Sequence, residues 1–215
     1  MDDDLPTVAS ELAAIARELA SRCKRLDGTS LIQAVLANSY WHPNGFAKLT
    51  LPRMISGASH VRLHYWPRLE DSEMALRDIH SHRWRYISIV LAGSLIVEDY
   101  SFAPNEAGEA TRFLCSANEG GQYFLNPLNK GTLSLGAKRT LTSGQIHAGD
   151  LTTIHRAYPS IGSDALTLMF EGRVRRTQSD VFRRDCTVQS QNLSPAILER
   201  SEVQAILSRF TAELG

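Results

Sequence analysis

From the amino terminus, apolar residues recur at helical spacing. Leu12, Ile15, Leu19, Cys23 and Leu26 follow one another at intervals of three and four, which predicts an amphipathic helix over 6–26. Residues 30–40 predict a second, shorter helix. Pro43-Asn44-Gly45 is a turn signal, and from Phe46 the runs shorten and alternate. Strands are predicted over 46–51, 60–66, 86–91, 94–100, 122–125, 141–147, 150–157 and 165–172, punctuated by Gly, Pro, Asn and Ser. Gly93 reads as the turn of a hairpin joining 86–91 to 94–100. Residues 67–76 read as an acidic loop and 100–122 as a long Gly/Asn/Glu-rich connection. Beyond Arg176 the strand pattern weakens, and 195–214 predict one or two helices with Ser194 as N-cap. The pattern defines a mainly β chain, a small barrel or sandwich with helices at both ends. It divides into an N-terminal helical segment (1–41), a β-barrel (42–176) and a C-terminal helical extension (177–215).

One short motif carries chemistry. His80-Ser81-His82 places two imidazoles at i and i+2, so on an extended strand both point to one face. Two imidazoles on one face can hold one metal ion. His155, in Gly149-Asp-Leu-Thr-Thr-Ile-His155, is a third donor, with His147 on the preceding predicted strand as its competitor. Neutral imidazole suits iron, zinc, nickel and copper alike. Three protein ligands leave coordination positions open, the condition for catalysis rather than for a structural site. Alternation also puts Trp84, Tyr86 and Ser88 on the face of His82, with Arg83 and Arg85 opposite. Arg62 and His64 share a neighbouring strand.

Composition narrows the class. Of 215 residues, 43% are hydrophobic and 21% charged, as in an ordinary globular protein of one domain with appendages. The 23 acidic and 23 basic residues cancel, which gives no electrostatic argument for nucleic-acid or membrane binding. A local basic cluster, Arg173, Arg175, Arg176, Arg183 and Arg184, reads as solvated surface or an interface. Cys23, Cys115 and Cys186 have neither disulfide-framework nor zinc-knuckle spacing. No signal-like or membrane-length apolar run is present, so the expected location is the cytoplasm.

His80-x-His82, three residues, Tyr86, six residues and Gly93 resemble the first cupin motif, with Tyr86 where most cupins carry Glu. Gly149 … His155 is similar to the second. The likeness leans toward the cysteine-dioxygenase-like branch, which uses three histidines and no carboxylate. There the third histidine is followed by Arg, as in His155-Arg156, and by a returning strand, here 165–172. The resemblance covers roughly 45–173. It implies a jelly-roll barrel that holds a single metal on His80, His82 and His155, with Fe(II) the first expectation and zinc, nickel or copper compatible. Aligning 46–51 with the family's early strand puts Lys48 on its carboxylate-binding Arg. Lys48, Arg62 and Trp84 are therefore expected to bind substrate, and Tyr86 and Glu171 to act in catalysis. Thr167, Met169 and Glu171 stand where thiol dioxygenases carry Ser-x-His-x-Tyr, which argues against a conventional cysteine dioxygenase. The expected function is oxygenation of a small polar, anionic substrate. A zinc- or nickel-dependent isomerase, lyase or cyclase, or a small-molecule-binding module, is the alternative. A homodimer is a family expectation.

Overall fold

The computed structural model describes residues 5–25, 28–52, 60–68, 78–117, 122–184 and 189–214. Cys186 and most of the acidic loop at 67–76 lie outside these residues. Helices α1 (Leu5–Arg25) and α2 (Gly28–Leu36) come first. Thirteen strands follow: β1 (Tyr40–His42), β2 (Phe46–Leu51), β3 (His60–Trp66), β4 (Ile79–His80), β5 (Tyr86–Pro104), β6 (Ala110–Ala117), β7 (Tyr123–Thr142), β8 (Ile146–Gly149), β9 (Ile154–Pro159), β10 (Ala165–Glu171), β11 (Ser179–Arg184), β12 (Gln191–Leu193) and β13 (Ala196–Ile197). Helix α3 (Arg200–Glu213) closes the chain. The protein is mainly β with helices at both ends.

β5 organises the fold. Its first half, 86–93, lies in a first sheet between β8 and β10, and that sheet continues through β3, β2, β1 and β13. Its second half, 94–104, lies in a second sheet between β7 and β9. From β9 the pairing runs through β4, β11 and β6 and returns to β7, so this second set closes on itself. Gly93 marks the passage between sheets. It has φ +73, and a Cβ there would stand 2.0 Å from the carbonyl oxygen of Asp164, so only glycine fits.

The first sheet is buried on both faces, for opposite reasons. Ala47, Leu49 and Leu51 of β2, Val61 and Leu63 of β3, Ile89 and Leu91 of β5, and Leu166 and Leu168 of β10 point back toward the helices. They meet Leu12, Ala16 and Leu19 of α1, Leu31, Ile32 and Val35 of α2, and Val203, Ile206, Leu207 and Phe210 of α3. The intervening positions, Lys48, Arg62, His64, Ser88, Thr167, Met169 and Glu171, line a cavity of about 330 Å³. Period-two alternation thus separates a hydrophobic back from a polar front.

Several sequence expectations change. Gly93 does not turn a hairpin: β5 runs through it. The connection at 100–122 contains β6. Residues 126–140, too polar to read as a strand, complete β7, a largely exposed partner of β5 and β6. The stretch 141–147 is broken by a turn at Gly144 (φ +84), where Thr142 N donates to Gln145 Oε1 at 2.7 Å. The strand expected from 150 starts at Ile154, because Asp150 Oδ1 accepts from the backbone N–H of Thr152 (2.8 Å) and Thr153 (3.1 Å) and turns the chain. The helical character expected from 177 begins only at Arg200, after Glu199 N caps onto Glu202 Oε2 at 2.7 Å. Before it, Ser179–Arg184 is a strand of the second sheet.

Candidate metal centre

The two motif histidines do not sit in one long strand. β4 ends at His80, and residues 81–85 carry the chain from the second sheet to the start of β5 in the first. Alternation survives across the break: Ser81, 3% exposed, faces away while His80 and His82 come together. Their ring centroids are 4.9 Å apart. His155 joins them because it is the cross-strand partner of His80, and directly opposed residues meet on one face. Its ring lies 4.9 Å from that of His80 and 5.0 Å from that of His82.

One nitrogen from each ring falls within 4.8 Å of the others. His82 Nε2 and His155 Nε2 are 2.8 Å apart. Two nitrogens each about 2.1 Å from one ion stand about 3.0 Å apart at a right angle and about 3.4 Å at the tetrahedral angle, so this pair is near the spacing of neighbouring ligands. The protonation states suit the same use. Burial, the largest cause, lowers the pKa of all three rings, and that of His82 and His155 falls well below the ordinary range. Neutral rings keep a lone pair for a metal. His80 Nδ1 is 3.0 Å from the carbonyl oxygen of Asp78. A carbonyl only accepts, so Nδ1 holds the proton and Nε2 is free. The residues fit a divalent cation with nitrogen preference.

His147 stands behind His155. Its Nε2 is 3.2 Å from His155 Nδ1 and 2.7 Å from Tyr86 Oη, and burial lowers its pKa to about 4. Tyr86 Oη is also 3.3 Å from His155 Nδ1. These distances are compatible with His155 Nδ1–H donating to Tyr86 Oη and Tyr86 Oη–H donating to His147 Nε2, the arrangement that leaves His155 Nε2 with a lone pair. Tyr86 is 3% exposed, and burial pushes its phenol well above the ordinary range. Gly149, its cross-strand partner, makes room for it, since a Cβ there would lie 2.6 Å from Tyr86 Oη.

The other substrate-side residues form a separate group. Glu171, 3% exposed, lies 3.7 Å from Lys48 Nζ, 3.3 Å from Arg62 Nε and 3.5 Å from His60 Nδ1. Burial pushes its pKa up, but Lys48, the hydrogen bond to His60 and Arg62 outweigh it and hold the carboxyl well below its ordinary value. Such an ion-paired carboxylate is a weak base, and its partners are Lys48, Arg62 and His60 rather than a ring of the three-histidine cluster. Trp84 bridges the two groups: its ring is 5.8 Å from that of His82 and 5.8 Å from Lys48 Nζ. Arg85 is exposed as expected. Arg83 is not directed away from the cavity: it lines it, with its guanidinium 5.2 Å from the Trp84 ring.

Sequence reasoning missed the residues that hold the histidines in place. Ser81 Oγ donates to Asp180 Oδ2 (3.1 Å) and accepts from Asp180 N (3.0 Å), while Ser81 N donates to Asp180 O (2.9 Å). Asp180 is held by Arg112 at 2.8 Å. Asp78, whose backbone carbonyl accepts from His80 Nδ1–H, pairs with Arg183 through both carboxylate oxygens at 2.6 Å. Arg176 donates to the carbonyls of His82 (3.0 Å) and Leu151. Two members of the supposed surface basic cluster thus serve this centre from β11 and the turn before it. A run of arginines in sequence gives no sign of that role.

No family model and no curated protein matches this chain. Solved structures similar to it include hydroxypropylphosphonic acid epoxidase from S. wedmorenis in complex with fosfomycin (10% identity, 59% of this chain and 50% of that one, TM-score 0.35). They include hydroquinone 1,2-dioxygenase PnpCD in complex with Cd2+ and 4-hydroxybenzonitrile (15%, 56% and 60%, 0.32) and the Drosophila melanogaster CENP-C cupin domain (9%, 67% and 95%, 0.36). The chain spans about half the length of the epoxidase. No described helix is long and apolar enough to cross a membrane.

Proposed function

We propose that this protein is a mononuclear metal enzyme of cupin type, a non-haem iron oxygenase acting on a small anionic substrate. One observation carries the reading: three imidazoles, His80, His82 and His155, converge on the wall of a cavity that Lys48, Arg62 and Glu171 also line. Iron bound there would supply the capacity to activate O2 beside a substrate in the remaining positions. The chain's own part is placement. His80, His82 and His155 hold the metal. Tyr86 does not line the cavity; it stands against His155 and His147 and steadies the His155 ring through its hydroxyl. Lys48, paired with the Glu171 carboxylate that it shares with Arg62, attracts the anionic end of the substrate, and Trp84 lies between the two ends. The donor set suits zinc and nickel equally, and with either metal Lewis-acid chemistry, an isomerase, lyase or cyclase, is the second reading.

Protein purified without added metal, analysed for its elements and assayed for oxygen uptake, tests this. About one equivalent of iron with substrate-dependent oxygen consumption supports the oxygenase. One equivalent of zinc or nickel without oxygen uptake favours the second reading. His82→Ala is expected to lose the metal while keeping its β circular-dichroism signal. Full occupancy in that variant overturns the site. Full occupancy in His155→Ala together with loss in His147→Ala moves the third ligand to His147.

A further inference from the structure

One wall of the cavity is apolar, and strand register joins it to the three histidines. His80 of β4 has Val181 of β11 as its cross-strand partner, and Val181 has Phe113 of β6. Directly opposed residues share a face, with Cβ atoms about 5 Å apart, so Val181 stands next to His80 on the cavity side. Two residues along β6, Cys115 returns to that face, opposite Leu125 of β7. Two residues along β7 comes Tyr123, opposite Leu193 of β12. Val181, Cys115, Leu125, Tyr123 and Leu193 all line the cavity, and the fully buried Phe113 packs with them.

The polar groups beside this wall already have partners. Ser179, opposite Cys115 on β11, turns its hydroxyl to the Cys115 sulfur. Asp78, which also reaches the cavity, is paired with Arg183. The hydroxyl of Tyr123 meets that of Tyr40, from β1 of the first sheet, at 2.8 Å. That contact joins the two sheets at the row of the wall farthest from His80. From the row of His80 and Val181 to the row of Tyr123 and Leu193 is four residues of strand, about 13 Å, which admits one ring or a chain of about six carbons and no long lipid. Whatever fills the wall begins beside His80, so it is attached to a group that meets the metal-binding histidines. Water against apolar side chains yields to an apolar group, with affinity rising about fourfold for each methylene buried.

We propose that Val181, Cys115, Leu125 and Leu193 form an apolar subsite for a short hydrocarbon substituent of the substrate, carried on the group that meets the three-histidine cluster. The inference names a further part of the substrate and rests on the functional reading above. Straight-chain primary alcohols, bound to the chelator-treated, metal-free full-length protein, separate the two, because they carry no charge and need no metal. Calorimetry and 1H–15N NMR titration follow them from ethanol to octanol. Affinity is expected to rise about fourfold per methylene as far as about hexanol and then to level off. 1,6-Hexanediol, which brings a hydroxyl to the apolar end, is expected to bind at least tenfold more weakly than hexanol. Val181→Thr and Leu193→Asn, which keep the volume and add polarity, should each weaken hexanol several-fold. Cys115→Leu, which fills the wall instead, should shorten the best-binding alcohol by about two carbons, an outcome that a mere loss of folding does not produce. His82→Ala should bind hexanol within a few-fold of wild type. No saturable hexanol binding, an affinity independent of chain length or still rising at octanol, equal binding of the diol, or indifference to both Val181→Thr and Cys115→Leu would overturn the subsite while leaving the metal reading standing.

Discussion

Tyr86 shows how one side chain sets the character of the centre. Its hydroxyl lies 2.7 Å from His147 and 3.3 Å from His155 Nδ1, placed to accept from a His155 ring whose Nε2 faces the cluster. Partners of this kind tune ligand histidines, and their loss costs about 10–100-fold in metal affinity. Tyr86→Phe keeps the packing and removes only the hydroxyl. It should weaken metal binding, measured by chelator competition, by roughly tenfold, with thermal stability lowered by no more than about 1–3 kcal/mol for the partners left unpaired. Unchanged metal affinity would show that His155 is oriented by His147 alone. At this scale the sequence was informative where chemistry and periodicity coincide. His80 and His82 could be paired from their spacing because alternation survives a chain break. The setting of Glu171 could not be read, because its neighbours Lys48, His60 and Arg62 arrive from β2 and β3 through strand register that no local pattern encodes.

At the scale of elements, β11 is the strand that sequence reasoning assigned to a helical extension, and it is the one that grips the motif. Asp180 holds Ser81 through three hydrogen bonds, and Arg183 holds Asp78. Two of those bonds use the backbone of residue 180, so Asp180→Ala removes only the Oδ2 acceptor of Ser81 and the partner of Arg112 and should lower metal affinity by roughly tenfold, while Asp180→Asn, which still offers Ser81 an acceptor oxygen, retains most of it; chelator competition on both variants measures the difference. β11 was hard to read because Asp180, Arg183 and Arg184 leave an apolar run of only Val181 and Phe182. β7 was missed for a related reason, since a ribbon whose residues mostly face water has no apolar alternation. A second device clamps β5 between β7 and β9. Glu98, 4% exposed, accepts from Tyr100 (2.6 Å), Tyr158 (2.6 Å) and Arg156 Nε (3.0 Å) and pairs with Lys138 at 3.3 Å. Burial pushes its pKa up, but the hydrogen bonds from Tyr100, Tyr158 and Arg156 outweigh this and bring it to about 2. A carboxylate depressed in the folded state stabilises above its ordinary pKa, and that contribution fades as pH falls from about 4.5 toward about 2. Denaturant titrations should show wild type losing stability across that window. Glu98→Gln should be destabilised by about 2–4 kcal/mol at neutral pH and show a flatter profile. A wild-type profile that stays flat there would rule out the clamp.

At the scale of the molecule, the two ends of the cavity belong to different sheets. The three histidines come from β4, β9 and the passage that follows β4, all tied to the second sheet and β11. Lys48, Arg62 and His64 stand on the front of the first sheet, whose back is covered by the three helices. The apolar periodicity over 6–26 anticipated α1, because a face that must bury itself leaves its period in the sequence, and helices were also expected over 30–40 and 195–214. Phe210, fully buried, is the largest α3 side chain in that contact. Truncating a buried phenylalanine costs about 3–5 kcal/mol, which for a chain of this size lowers the melting temperature by roughly 10 °C. Phe210→Ala should show that drop in a thermal scan. At 25 °C it is expected still to bind one equivalent of metal, because none of His80, His82 and His155 stands on the helix-covered sheet, while its affinity for a small anion falls as the sheet carrying Lys48 and His64 loosens. Loss of metal with the β signal intact would mean that the two walls are coupled through β5, whose single chain runs from one sheet into the other at Gly93.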